Sequence, residues 1–183
     1  MADSNAADTD MSQSMDGQRS TLDVPLLHQQ IDAESLRLSS IHSKRLQCRR
    51  GCSSCCVDDI TVFEIEADNI RQHHQTLLET ATPHPPGACA FLDDDGACRI
   101  YQQRPYVCRT QGLPLRWFED SDTSNRMVEL RDICPLNEAG EALEHLAPDD
   151  CWTIGPTESS LAQVQATAGN GELVRIPLRD MFH

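Results

Sequence analysis

The apolar positions of the chain predict a helix-rich domain behind a polar N-terminal tail. Residues 1–24 are acidic, rich in Ser, Asp, Ala and Gln, and lack hydrophobic periodicity, which predicts a disordered tail. From Pro25 to Leu46, apolar residues recur broadly with the spacing of an amphipathic helix. A second helical pattern begins at Glu64 and ends near Leu78. We therefore expect two long helices in the first half of the chain.

Shorter elements are expected in the rest of the chain. The turn Asp93–Gly96 predicts a hairpin that folds Cys98 back towards Cys89, and Asp120–Asn125 separates the strands of a second hairpin. The apolar-alternating segment Leu173–Leu178 is expected to form an edge strand, because Pro177 would be poorly placed in a central strand. The remaining predicted elements are a short strand at 60–63, a helical turn through 108, a short helix at 137–146 and a helix at 157–167 with Thr157 as its N-cap.

These patterns predict an α+β fold, with one small helix-rich domain and short β-hairpins at residues 25–168 and an extended segment at 169–183. Only 4% of the residues are aromatic and the mean hydropathy is -0.46, which indicates a lean core. A lean core needs further cross-links, and the 9 cysteines are the obvious candidates. We expect cysteine-ligated metal to staple this domain.

Metal ligation is favoured over disulfides because the N-terminal residues 1–23 show neither the apolar nor the basic part of a secretory signal. A cytoplasmic location is expected, where thiols stay reduced and cysteine clusters usually bind metal. In an oxidising compartment, the odd set of 9 cysteines would instead form disulfides and leave one thiol over. The formal charge of -14 argues against nucleic-acid partners, and no segment is long and apolar enough for a membrane span.

The densest chemical feature is the run Cys48-x3-Cys52-x2-Cys55-Cys56, with four thiols in nine residues. Cys52 and Cys55 have the spacing of a chelating pair. Neighbouring side chains usually diverge, so Cys55 and Cys56 are expected to serve two metal sites or one polynuclear centre. Two other interpretations compete: a thioredoxin-like redox pair, which needs a βαβ context, and a helix that buries the four cysteines as one apolar stripe.

Five more cysteines follow at wider spacing, and eight of the nine thiols would suit two four-cysteine sites, or one cluster and one zinc. Ligation from distant segments would contribute folding free energy that a lean core does not supply. Which ligand belongs to which site stays open, and the last two are the least certain. These five candidate ligands are Cys89, Cys98, Cys108, Cys134 and Cys151.

The cysteine segments resemble the YkgJ-type cysteine-cluster proteins, also called the CxxCxxCC family. The resemblance covers roughly residues 45–110, with weaker similarity to about Trp152, and rests on the run together with Cys89-Ala-Phe-Leu, Gly96-Ala-Cys98-Arg-Ile-Tyr101 and Arg104-Pro-Tyr-Val-Cys108-Arg. These are bacterial proteins with a zinc- or iron-chelating domain. The resemblance therefore implies metal chelation by Cys48, Cys52, Cys55, Cys56, Cys89, Cys98 and Cys108.

The resulting hypothesis is a metal-binding protein that holds zinc or an iron–sulfur centre through clustered cysteines, with an unknown biological role and no indicated protein partner. The alternative is an iron–sulfur redox protein, or an accessory to a protein-modifying enzyme, since a larger relative with this cluster methylates flagellin lysines. No glycine-rich loop for S-adenosylmethionine is visible here, so that activity is not transferred. Thiol exchange by a low-pKa cysteine is a third possibility. Tyr101, Arg104 and Arg109 are expected to support the cluster.

Overall fold

Helices and short strands make up the computed structural model of the chain, which describes residues 23–121, 126–168 and 172–182. This confirms the mixed helix-and-strand fold that the sequence predicts. The predicted disorder of residues 1–24 falls almost entirely outside the described residues. No helix within the described ranges combines the length and the apolar character that crossing a membrane requires.

Four helices and five strands account for most of the regular structure in these ranges. Their bounds are α1 Val24–Ile41, β1 Thr61–Phe63, α2 Glu64–Thr80, α3 Tyr106–Arg109, β2 Leu115–Asp120, β3 Met127–Asp132, β4 Trp152–Thr153, α4 Pro156–Ala168 and β5 Arg175–Pro177.

The two long helices lie where their hydrophobic spacing predicts them, although α1 ends at Ile41 and not near Leu46. Asp23 caps α1, because its Oδ1 accepts a hydrogen bond from Leu26 N at 2.8 Å. The buried side of α1 carries Leu27, Ile31 and Leu38, which are spaced as one helical stripe. Both helices thus present an apolar face to the interior.

Two small sheets complete the fold. β2 pairs antiparallel with β3 as the predicted second hairpin, and β4 adds a short parallel strand on the other side of β2. β5 pairs antiparallel with β1, and Pro177 lies opposite Thr61. Within the part of the chain that the structure describes, this sheet consists of two strands, so β5 is an edge strand, as Pro177 predicts.

Three local predictions are wrong or only partly right. Residues 137–146 do not form a helix but fall into two separate 3-10 turns, with Gly140 at φ +120° between them. The helix α4 starts at Pro156, so Thr157 lies inside the helix and is not its N-cap. The turn around Asp93 forms, but it closes a single bridge between Leu92 and Cys98 instead of a two-stranded ladder.

Most of the buried apolar residues in the described ranges belong to two clusters. The first lies between α2, the segment around Phe91 and the C-terminal 3-10 turn Leu178–Met181, and it includes Cys89. The second joins α1, α3 and α4 around Trp152. Division into two small clusters fits the lean core that the composition indicates.

Candidate metal centre

Five of the predicted ligand cysteines lie together beside the first apolar cluster. Cys89 belongs to that cluster, and Cys56 and Cys98 pack against it. The charges of Cys55, Cys89 and Cys98 act on the thiol of Cys108, which places these thiols near one another. We call this set, Cys55, Cys56, Cys89, Cys98 and Cys108, the five-thiol group.

Backbone hydrogen bonds bring these residues together from separate parts of the chain. Cys89 N donates to Cys56 O at 2.8 Å, so the loop after α2 lies directly against the cysteine run. The Leu92–Cys98 bridge returns the chain to the same place. Cys108 arrives on α3, whose first turn places Cys108 N against Pro105 O at 3.0 Å. Ligand convergence therefore depends on tertiary structure and not on the run alone.

Burial and mutual repulsion keep most of this group protonated in the metal-free chain. Burial raises the pKa of Cys108, and the charges of Cys89, Cys98 and Cys55 raise it further. Burial likewise raises the pKa values of Cys98 and Cys89. Several thiolates can coexist here only if a positive charge offsets them, and a bound cation supplies that charge. The chemistry of these donors therefore fits zinc or iron.

Cys55 and Cys56 differ from the other members because they share a hydrogen bond. The thiol of Cys56 donates to Cys55, which lowers the pKa of Cys55 to about 6. The same bond raises the pKa of Cys56, since that thiol holds the shared proton. Cys55 is therefore the member of the pair that ionises first.

Three further cysteines, Cys48, Cys52 and Cys134, have surroundings of their own, and we call them the outer thiols. Asn137 Nδ2 donates to Cys48 Sγ at 3.4 Å, and Ser54 Oγ lies 4.0 Å from Cys134 Sγ. A cavity of about 480 Å³ has Cys52 in its wall. These contacts differ from those of the five-thiol group.

Cys151 lies apart from both groups, in the residue before β4. It is buried, and Arg131 Nη1 is 3.9 Å from its Sγ. Burial raises its pKa, and the charges of Arg131 and Arg116 lower the pKa in part. These surroundings are those of a structural thiol, which makes Cys151 the most suitable candidate for the one spare cysteine.

No three His, Cys, Asp or Glu side chains within the described residues are already arranged so that they could hold one ion. The predicted stapling by metal is therefore not visible in the fold itself. The ligand assignments remain predictions, in which the sulfurs approach one another when the ion binds.

The arginines near the cysteines mostly donate hydrogen bonds to backbone carbonyl oxygens. Arg99 donates to Ala90 O at 2.7 Å, beside Cys89. Arg109 donates to Gln102 O at 2.8 Å and to the Asp32 carboxylate at 2.5 Å, which links α3 to α1. The guanidinium of Arg104 stacks on the Tyr101 ring at 4.1 Å. These contacts fit the supporting role expected for Tyr101, Arg104 and Arg109.

Sequence reasoning missed the residues that position the thiols from a distance. Asn137 is fully buried beside Cys48, and Glu66 is a buried carboxylate whose Oε1 accepts from Tyr106 N at 2.7 Å. Arg179 pairs with Asp58 and bonds to Ala88 O at 2.8 Å. Each of these three residues lies far along the chain from the segment that it contacts. The available sequence signal was the polarity of Glu66 within an apolar helix face.

A small mixed fold whose free cysteines lie on several loops is typical of cysteine-rich chelating domains. Residues 47–135 match the model of the CxxCxxCC family, described as "Putative zinc- or iron-chelating domain", and this part of the chain is similar to that family. The match extends past the strongest part of the resemblance, which ended near residue 110, and includes Cys134. No curated protein and no solved structure matches the chain.

Proposed function

We propose that the chain is a cytoplasmic metal-binding protein that holds zinc or iron with cysteine thiolates, mainly those of the five-thiol group. The observation that carries this proposal is the convergence of Cys55, Cys56, Cys89, Cys98 and Cys108 beside one apolar cluster. The match to a family of zinc- or iron-chelating domains supports it.

The physical argument concerns the cost of crowding thiolates. Cys56, Cys98 and Cys108 become harder to ionise as their neighbours ionise, because like charges repel at short range. A divalent cation reverses this relation and favours the ionised form of every ligand. Since the ligands come from separate loops, binding free energy also becomes folding free energy. The lean core gives this contribution particular weight.

An iron–sulfur centre is the second candidate, and one observation favours it. Five thiols exceed the four ligands of a single tetrahedral ion, and the adjacent Cys55 and Cys56 suit a centre with more than one metal atom. Such a centre supplies one-electron transfer when bound, whereas zinc supplies no redox chemistry. A redox role, or support of a protein-modifying enzyme, would follow from iron.

The test compares ligand variants with a matched cysteine control. Cys55→Ser and Cys108→Ser are expected to lower the zinc or iron content of anaerobically purified protein and to lower its melting temperature. Cys151→Ser, which removes a thiol outside the group, should leave the metal content unchanged. Elemental analysis gives the metal, and a brown colour that bleaches on reduction separates an iron–sulfur centre from colourless zinc.

Equal metal content and equal melting in all three variants would refute this ligand set. Thiol counting distinguishes the remaining alternative, exchange by a free reactive cysteine. Ligated thiols should become titratable only after a chelator is added, whereas free redox thiols react fully without it.

A further inference from the structure

We propose that the open edge of β3 is an interface that joins two copies of this chain. In this dimer, β3 pairs antiparallel with β3 of the partner subunit, so that the sheets of the two copies become continuous. The contact uses neither a cysteine nor a metal ion and is therefore independent of the proposed function. Three features favour it: backbone groups left unpaired along β3, exposed apolar side chains beside them, and the charge pattern of the strand.

β3 is an outer strand of its sheet, because the strand order within the described residues is β3-β2-β4. Its register with β2 runs without a break over six residue pairs, from Leu115 with Asp132 to Asp120 with Met127. No bulge therefore bends this strand, and its sequence contains no proline. Bulges and prolines are common protections of an edge strand against pairing, and β3 has neither.

The hydrogen bonds of the hairpin show which backbone groups of β3 point out of the sheet. Ser121 N donates to Arg126 O at 2.9 Å, so these two residues form a hydrogen-bonded pair. Hydrogen-bonded and non-hydrogen-bonded pairs alternate along an antiparallel ladder, so every second residue of β3 turns its N–H and C=O away from β2. These outward-directed residues are Met127, Glu129 and Arg131.

The other side of β2 shows the same alternation. Arg116 O accepts from Ile154 N at 2.9 Å, so the backbone of Arg116 faces β4. Arg131 lies opposite Arg116 in the register and therefore faces the opposite way, out of the sheet. Within the described ranges, no hydrogen bond takes up the outward N–H and C=O groups of β3. This edge is therefore ready to pair with another strand.

Exposed apolar side chains lie beside this edge. Met127 is 60% exposed and Val128 is 43% exposed, on opposite faces of β3. Phe118 of β2 is 46% exposed and lies opposite Glu129, on the same face as Met127. A strand paired with β3 would remove part of this apolar surface from water, which favours association.

The charges of β3 favour a second copy of the chain as the partner. Residues 126–132 contain two arginines and two acidic residues, so this segment is neutral in a chain with a formal charge of -14. Two such segments can approach each other without local repulsion. Repulsion between the more distant charges of the two copies is largely screened beyond about 8 Å at physiological salt.

A two-fold axis at Leu130 gives the register with the best charge pairing. Since only outward-directed residues can exchange hydrogen bonds, this axis places Glu129 opposite Arg131 of the partner subunit, and Arg131 opposite Glu129 of the partner subunit. Glu129 and Arg131 already form an ion pair within one chain, with Oε1 2.6 Å from Nη2. The dimer thus joins two ion pairs into one network. An axis at Glu129 would instead place two carboxylates opposite each other, which is unfavourable.

Analytical ultracentrifugation of the reduced full chain, over a range of concentrations at about 0.15 M salt, tests the dimer. The unmodified chain should reach twice the 20.4 kDa mass of one copy. Glu129→Arg and Arg131→Glu each place like charges opposite each other and should raise the dimer dissociation constant roughly tenfold or more. A mixture of these two variants should dimerise again, because opposite charges then meet across the edge. Glu79→Arg, the same charge change on an exposed residue of α2, should leave the dissociation constant unchanged.

Circular dichroism checks the fold of each variant. If a charge variant does not fold, a comparison of Glu129→Pro with Glu129→Ala takes its place. Both remove the carboxylate, but only proline removes the outward N–H, and it spares the hydrogen bonds between β2 and β3. Proline should therefore weaken the dimer more than alanine. An unmodified chain that stays monomeric, folded charge variants that dimerise as it does, a mixture that stays monomeric, or equal effects of proline and alanine would overturn the pairing of β3.

Discussion

At the residue scale, Glu66 is a buried carboxylate on α2 that links this helix to α1 and α3. It is 2% exposed, and its Oε1 accepts from Tyr106 N at 2.7 Å and lies 3.0 Å from His28 Nε2. Tyr106 is the first residue of α3, which carries Cys108. The N–H at this helix start would otherwise lack a partner in the interior. Glu66 therefore fixes the position from which Cys108 joins the five-thiol group.

Removing this carboxylate should destabilise the chain even without metal. We expect Glu66→Ala to reduce the free energy of unfolding by about 2–4 kcal/mol, because it leaves buried donors unpaired. Urea denaturation of the metal-free protein measures the change. Glu79→Ala removes an exposed carboxylate from the same helix and should change the free energy by less than about 0.5 kcal/mol. Equal effects of the two substitutions would contradict the role of Glu66.

The hydrogen bond between Cys55 and Cys56 predicts how the alkylation of Cys55 depends on pH. Because Cys56 lowers the pKa of Cys55 to about 6, Cys55 is a thiolate above that pH and a thiol below it. In the metal-free protein, alkylation of Cys55 by iodoacetamide should therefore reach half its maximal rate near pH 6. Cys56→Ala removes the donor and should move this midpoint to higher pH. Mass spectrometry of the modified peptide measures this midpoint. An unchanged midpoint in Cys56→Ala would disprove the shared proton.

At the scale of elements, the C-terminal 3-10 turn Leu178–Met181 holds two cysteine segments in place. Arg179 on this turn pairs with Asp58, two residues after Cys56, and donates to Ala88 O, one residue before Cys89. Phe182 packs on Phe91 with ring centroids 4.9 Å apart. These contacts come from residues beyond the end of the family match at 135.

Loss of this link should loosen the loops that carry Cys56 and Cys89. We expect Arg179→Ala to accelerate hydrogen exchange at Cys89 N, which donates to Cys56 O, and to weaken zinc or iron binding. Arg71→Ala is the matched control, because it removes a partly exposed arginine of α2 whose ion pair, within the described residues, is with its helix neighbour Asp68. Unchanged exchange at Cys89 in Arg179→Ala would show that the turn does not position the thiols.

Element prediction from the sequence succeeded where local information is sufficient. The spacing of Leu27, Ile31 and Leu38 marks one buried helix face, and a helix needs little more than such a stripe. The helix predicted at 137–146 failed because Gly140 adopts φ +120° and Asn137 is held by contacts from distant residues. Its position depends on Gln47 and Gly112, which no local pattern reveals.

At the scale of the whole molecule, the cysteines identified the chemistry but not its arrangement. Their number and the family resemblance indicated a chelating domain, and the model of a family described in those terms matches residues 47–135. The contact of Cys56 with Cys89 and the approach of Asn137 to Cys48 depend on pairs far apart in the chain. Such long-range pairing is fixed by packing and not by spacing, so the sequence could not divide the thiols between sites.

The two small apolar clusters are the reason to expect that a bound metal would stabilise the whole chain. The first cluster borders the five-thiol group directly, and the second reaches Cys108 through Tyr106 on α3. An ion bound by the group would therefore cross-link loops that pack on both clusters. Metal removal is expected to lower stability throughout the domain rather than at one loop.

Metal ligation is decided by elemental analysis of oxygen-protected protein, followed by thermal unfolding before and after chelator treatment. We expect at least one zinc or iron per chain, and a lower melting temperature once the metal is removed. Protein that carries neither metal and melts at the same temperature with and without the chelator would contradict it.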